Sequence, residues 1–153
     1  MNNFMKIAIK EAQKSYHNND VPVGAVIVKN NKVIAKGHNQ KEQKKIVTKH
    51  AEIIAIEKAC KKLKTWHLEN CILYVTLEPC MMCCGAIIQS RIYKIIYATE
   101  SEKFGFTENV EKILMNSKNN HQVKFEKGLF EKESQELLKS FFSKKRKYGE
   151  MQS

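Results

Sequence analysis

Two short stretches of this chain carry residues that can bind a metal and move protons. One is His50-Ala51-Glu52; the other is Pro79-Cys80-Met81-Met82-Cys83. Thiolate and imidazole suit zinc, and three protein ligands leave a fourth position for water. Cys80 and Cys83 stand at i and i+3, so one helical turn puts both sulfurs on one face. At a helix N-terminus the dipole and the free N–H groups stabilise thiolates. With His50 as third ligand, Glu52 is near the metal without being needed on it. A carboxylate there can take a proton from activated water and return it to a substrate. Each half alone has a plainer reading. A Cys-x-x-Cys can be a redox pair, and a lone His on an apolar helix is usually structural, as His17, His38, His67 and His121 are read. Cys84 lies about 100° round the helix from Cys83 and reads as a core residue. Cys60 and Cys71 lie in apolar runs and read as buried thiols.

The pair of stretches has a function only if the fold brings them together. Phe4, Ile7, Ala8, Ala12 and Tyr16 recur at helical spacing, which predicts a first helix near 3–17. Val23–Lys29 and Lys32–Lys36 read as a hairpin about Asn30-Asn31, since Asn tolerates the positive φ of a tight turn. Residues 38–48 are polar and read as a loop, with Thr48 a candidate cap for a helix through residues 51–63. A buried strand is predicted at 71–77, a helix from Pro79 to Ser90, and a strand at 94–99. A weak helix near 107–116, a last strand in 121–128 and a basic terminal helix at about 130–147 complete the order. This alternation predicts an α/β fold of three layers: a central mixed five-stranded sheet with helices on both faces. Both ligand helices follow strands, so their starts can meet at one end of the sheet.

The 153 residues read as one domain. No segment reads as a membrane span, and the N-terminus reads as an amphipathic helix, so the cytoplasm is the expected location. Five cysteines without a secretion signal argue for thiols over disulfides. The formal charge of +11 points to a polyanionic partner, most often nucleic acid. Of the 27 basic residues only Arg91 and Arg146 are Arg, a Lys bias that coding composition also produces.

The chain resembles the zinc-dependent nucleobase deaminases, whose pattern is His-x-Glu followed by Pro-Cys-x-x-Cys, and within them the bacterial tRNA-specific adenosine deaminases. The likeness extends over nearly the whole chain: Asp20-Val21-Pro22-Val23-Gly24, Gly37-His38-Asn39-Gln40, the helix at His50, and above all residues 77–92, LEPCMMCCGAIIQSRI. The tail FFSKKRK is similar to the family's aromatic-basic end. Departures are Ile46-Val47-Thr48-Lys49, where Asp-Pro-Thr-Ala is common, and Ser101, where Asp is usual; Lys103 and Gly105 are kept.

This resemblance implies one zinc ion per subunit on His50, Cys80 and Cys83, with Glu52 as proton shuttle. It implies that Asn39 bonds the flipped base and that Val23 lines its pocket. The implied reaction is hydrolytic deamination of adenosine to inosine at the wobble position of an arginine tRNA. The implied partners are a tRNA anticodon stem-loop and a second subunit in a homodimer. Lys103 lies in a loop that approaches RNA in the family. Lys41, Lys44, Lys45, Lys144, Lys145, Arg146 and Lys147 are candidate phosphate contacts, although a single lysine is more often just a solvated charge. Two alternatives remain: a deaminase of free guanine, cytosine or a nucleoside, and a zinc-stabilised RNA-binding module without catalysis. The acid at Glu52 argues against the latter, since a structural zinc site needs none.

Overall fold

The computed structural model describes residues 2–101 and 110–152. A helix α1 (Asn2–His17) leads into strands β1 (Gly24–Lys29) and β2 (Lys32–His38). Asn30 and Asn31 both take left-handed φ, 52° and 59°, which gives the tight turn expected of that hairpin. A short helix α2 (Lys41–Lys44) lies inside the segment read as loop. Its N-terminus is held by Asp20, whose carboxylate accepts from the Glu42 and Gln43 N–H groups at 2.7 and 3.1 Å. Helix α3 (Ala51–Leu63), strand β3 (Cys71–Leu77), helix α4 (Met81–Gln89) and strand β4 (Lys94–Thr99) follow the predicted order. The chain then forms α5 (Val110–Leu114), β5 (Lys124–Lys127) and α6 (Glu131–Gln152), the last longer than expected.

The sheet is mixed, with strand order β2-β1-β3-β4-β5. β1 pairs antiparallel with β2 and β3, while β4 is parallel to β3 and β5. Side chains alternate across it, as the two-residue period requires. Ala25, Ile27, Leu73, Val75, Ile95 and Tyr97 meet Ala51, Ala55 and Ala59 of α3 and Cys84 and Ile87 of α4. Val26, Val28, Tyr74, Ile96 and Ala98 meet Met5 and Ala8 of α1 on the other face. Covering both faces explains why β1, β3 and β4 are apolar almost without interruption. α6 packs beside α1, with the Tyr16 and Phe141 rings 6.0 Å apart. Among the described residues, no helix is long and apolar enough to cross a membrane.

Two glycines allow helices to sit close to the sheet. A Cβ on Gly24 would lie 1.8 Å from the Ala8 carbonyl oxygen of α1. A Cβ on Gly37 would lie 2.5 Å from the Ala51 oxygen and 2.9 Å from the Ala55 nitrogen of α3. Gly37 therefore sets how deeply the start of α3 is seated. Gly37→Ala is expected to lower stability by about 1–3 kcal/mol, the usual cost of overpacking, measured as a fall in the urea midpoint. An unchanged midpoint would mean that α3 does not approach β2 this closely.

Candidate active site

α3 and α4 both begin at the end of the sheet where β3 finishes, and each starts with a potential metal ligand. His50 is the N-cap residue of α3 and Cys80 that of α4, both with extended backbone. Neither uses its side chain as a cap. His50 Nδ1 lies 3.6 Å from Cys80 Sγ and 3.6 Å from Cys83 Sγ. All three donor atoms lie within 4.8 Å of one another, and this is the one such cluster among the described residues. Zinc–nitrogen and zinc–sulfur bonds of about 2.0–2.1 and 2.3 Å at a tetrahedral angle imply an N···S edge of about 3.6 Å. The donor set and its spacing therefore fit zinc without rearrangement.

Without metal, the site shares protons unevenly. Cys80 is drawn down to about 4, first by the hydrogen bond from Cys83 and then, against burial, by His50. Cys83 is pushed up because it donates to Cys80 and is buried. His50 is raised, chiefly by its bond to Cys80. A dication bound here would release those protons, since it needs thiolate and neutral imidazole ligands. Glu52, on the first turn of α3, is buried and pushed up to about 7, chiefly by that burial.

Asn39 holds the start of α3. Its Oδ1 accepts from the Ala51 N–H at 2.8 Å, and its own carbonyl accepts from Ser15 Oγ at 2.8 Å. Thr48 had been the candidate cap; instead its carbonyl accepts from the His50 N–H, and the acceptor for α3 comes from eleven residues before His50. Only the amide oxygen can meet an N–H, so the orientation of Asn39 is fixed and Nδ2 is presented as a donor. Pro79 lies before α4 and not inside it.

A cavity of about 120 Å³ opens onto these groups, lined by Asn39, Val23, His50, Glu52, Cys80 and Lys41 among others. Asn39 and Val23 thus share a pocket with His50 and Cys80 of the donor cluster. A larger groove of about 760 Å³ lies on the other side of α2, between α1 and α6. Tyr16, Phe141, Lys45, Lys144, Lys145 and Lys147 line it. Lys144 stands over the Tyr16 ring and Lys145 over the Phe141 ring, at 5.5 and 5.4 Å from the centroids. Arg146 is exposed on α6. Lys103 lies outside the described residues. Cys84 and Cys71 are buried and Cys60 half-buried, away from the donor cluster, as the sequence implied.

Residues 1–146 match the model of the MafB19-like deaminases. The chain belongs to this deaminase family. The MafB19-like deaminase fold found here is also that of a solved structure from work on A-to-I editing by tRNA:A34 deaminases at the wobble position. That structure is 38% identical with a TM-score of 0.84, covering 90% of this chain and all of that one. The tRNA-specific adenosine deaminase of Aquifex aeolicus is 47% identical over 143 residues, 94% of each chain. The guanine deaminase of Bacillus subtilis is 36% identical with a TM-score of 0.64, covering 81% of this chain and 82% of that one. All three are deaminases by name, and in this chain His50, Cys80 and Cys83 form a cluster that could hold a metal ion.

Sequence reasoning missed Glu78 and Asp20, two buried carboxylates that bind the ends of other elements. Their partners are more than twenty residues away, so no local pattern marks them. Asn39→Ala should cost about 0.5–2 kcal/mol as a lost cap, whereas Asn39→Asp keeps the acceptor and should cost less. Equal losses in urea unfolding would place the capping elsewhere. In the metal-free protein, Glu52 binds its proton more tightly folded than unfolded. Its contribution is present below its ordinary value of 4.5 and is lost as pH rises through about 7. Glu52→Gln should flatten the stability profile of metal-free protein over that window; an unaltered slope would mean that Glu52 is not buried.

Proposed function

We infer that this protein is a tRNA adenosine deaminase, converting adenosine to inosine at the wobble position by hydrolysis. The observation that carries the reading is a buried carboxyl beside a three-donor zinc site, in a chain similar over nearly its full length to tRNA-specific adenosine deaminases. His50, Cys80 and Cys83 would hold one zinc ion. Zinc there supplies Lewis acidity, which brings the pKa of a bound water toward neutrality.

The rest belongs to the side chains. In the reaction, water adds across C6 and N1 of adenine, with oxygen to C6 and a proton to N1. Glu52 carries that proton. It then takes a proton from the C6 hydroxyl and delivers one to the amine, which leaves as ammonia. Beside a dication a carboxylate pKa falls again, so Glu52 starts as carboxylate, the form that accepts a proton. Asn39 Nδ2 donates to an acceptor on the base, and its orientation is set before substrate arrives. Val23 gives the ring an apolar wall.

Lys41 at the rim, with Lys45, Lys144, Lys145 and Lys147 along the adjoining groove, supports an RNA substrate over a free base. Tyr16 and Phe141 beside them suit an unpaired, splayed loop. An anticodon loop also presents its target base at lower unstacking cost than a duplex. Arginine tRNA is the proposed substrate, and the cytoplasm the proposed location. Ile46, Val47 and Met81 are exposed close in sequence to the ligands, which supports a homodimer covering that edge of the site. A guanine deaminase is the second reading, favoured by the likeness to the Bacillus subtilis enzyme.

Incubation with total tRNA, followed by inosine mapping, should show new inosine at the wobble position of arginine tRNA. Ammonia release from free guanine without any tRNA product would select the second reading. Glu52→Ala should retain zinc and lose at least about 10²–10⁴-fold in turnover. Neutralising Lys144, Lys145, Arg146 and Lys147 together should weaken tRNA binding and flatten its salt dependence. An unchanged slope would remove α6 from the RNA surface.

A further inference from the structure

β3 and β4 run parallel up to Leu77 and Thr99 and then part. The Glu78 N–H still donates to the Thr99 carbonyl at 2.9 Å, the last backbone bond across the fork among the described residues. Beyond it one branch leads through Pro79 to Cys80, and the other through Glu100 to Ser101. Ser101 and Cys80 both line the small cavity.

One side chain spans this fork. Glu78 Oε1 accepts from the Ser101 N–H and from Ser101 Oγ, both at 3.0 Å, and Oε2 accepts from the Val110 N–H at 2.9 Å. Glu78 and Ser101 are both buried. Among the described residues three donors converge on this acid, and no Lys or Arg makes an ion pair with it. A carboxylate suits this place because it is acceptor-only. An amide of the same shape would aim one of its own N–H groups at a donor.

We propose that Glu78 is a positioning residue for substrate binding. It ties the Ser101 wall of the pocket, and the start of α5, to the residue two before Cys80. The pocket wall and the metal ligand therefore keep one spacing, although they sit on different branches of the fork. Glu78 moves no proton in the reaction; Glu52 does that. Loss of the tie leaves the donor cluster intact but lets the wall shift from the geometry that receives the base, so it acts on binding more than on turnover.

This inference rests on the RNA-deaminase reading, and the experiment separates the two. Wild-type kinetics on an anticodon stem-loop come first, and no inosine there would overturn the reading of function itself. With wild type active, Glu78→Gln is expected to raise KM about 10-fold or more with kcat within about 3-fold, at unchanged zinc content. Met5→Ala, a core change on the opposite face of the sheet, supplies a control that loses stability and keeps KM. Ser101→Ala removes one of the three donors, should fold whatever Glu78→Gln does, and should raise KM by a smaller factor. The two changes should be non-additive, because both act through the same carboxylate. Unchanged KM in Glu78→Gln, a KM rise of equal size in Met5→Ala, or full additivity with Ser101→Ala would each overturn the proposal. If Glu78→Gln does not fold, unchanged KM in Ser101→Ala does the same.

Discussion

His50 Nδ1 stands 3.6 Å from each of two sulfurs that are thirty and thirty-three residues later in the chain. Holding two partly charged thiols and an imidazole this close is unfavourable unless something stabilises the negative charge or replaces the protons. The fold does the first by placing the sulfurs at the start of α4, where free N–H groups and the helix dipole favour anions. A metal ion bound there would do the second. Much else in the molecule can be read as support for this one spacing. Gly37 lets α3 sit deep on β2, Asn39 fixes its first turn, and the parallel β3–β4 pair delivers Cys80 to the same end of the sheet.

The donor cluster and the basic groove belong to different parts of the fold. The donor cluster and Glu52 belong to α3 and α4, packed against one face of the sheet. The cations and aromatic rings of the large groove belong to α1, α2 and α6. Only α2 faces both, with Lys41 toward the pocket and Lys45 toward the groove. Asp20 anchors this short helix with two hydrogen bonds, so it is a fixed partition between the small cavity and the basic groove. The division has an electrostatic consequence: salt screens the exposed lysines and barely touches the buried acid.

Much of this was legible in the residues themselves. The apolar runs of β3 and β4 announced strands, and Asn30-Asn31 announced the hairpin of β1 and β2. The i, i+3 cysteines with an upstream His-x-Glu announced a three-donor cluster, and the fold does bring His50, Cys80 and Cys83 together. What was not legible depends on contacts distant in sequence. Thr48 had the right chemistry for a cap, yet Asn39 won because β2 ends beside α3. Residues 38–45 are polar throughout, and α2 is held there by Asp20, which reaches its N-terminus. Glu78 reads as part of a motif, but its partners Ser101 and Val110 emerge only when β3 and β4 are laid side by side.

The measurement that bears most directly on all of this is zinc X-ray absorption on protein loaded with one equivalent of metal. Two sulfur scatterers at about 2.3 Å and one imidazole nitrogen at about 2.0–2.1 Å are expected. Cys84 should stay outside the shell, as its Sγ lies 3.7 Å from the Pro79 carbonyl in the buried core. A third sulfur, or a protein that binds no zinc at all, would contradict a site built from His50, Cys80 and Cys83 with one position left open for chemistry.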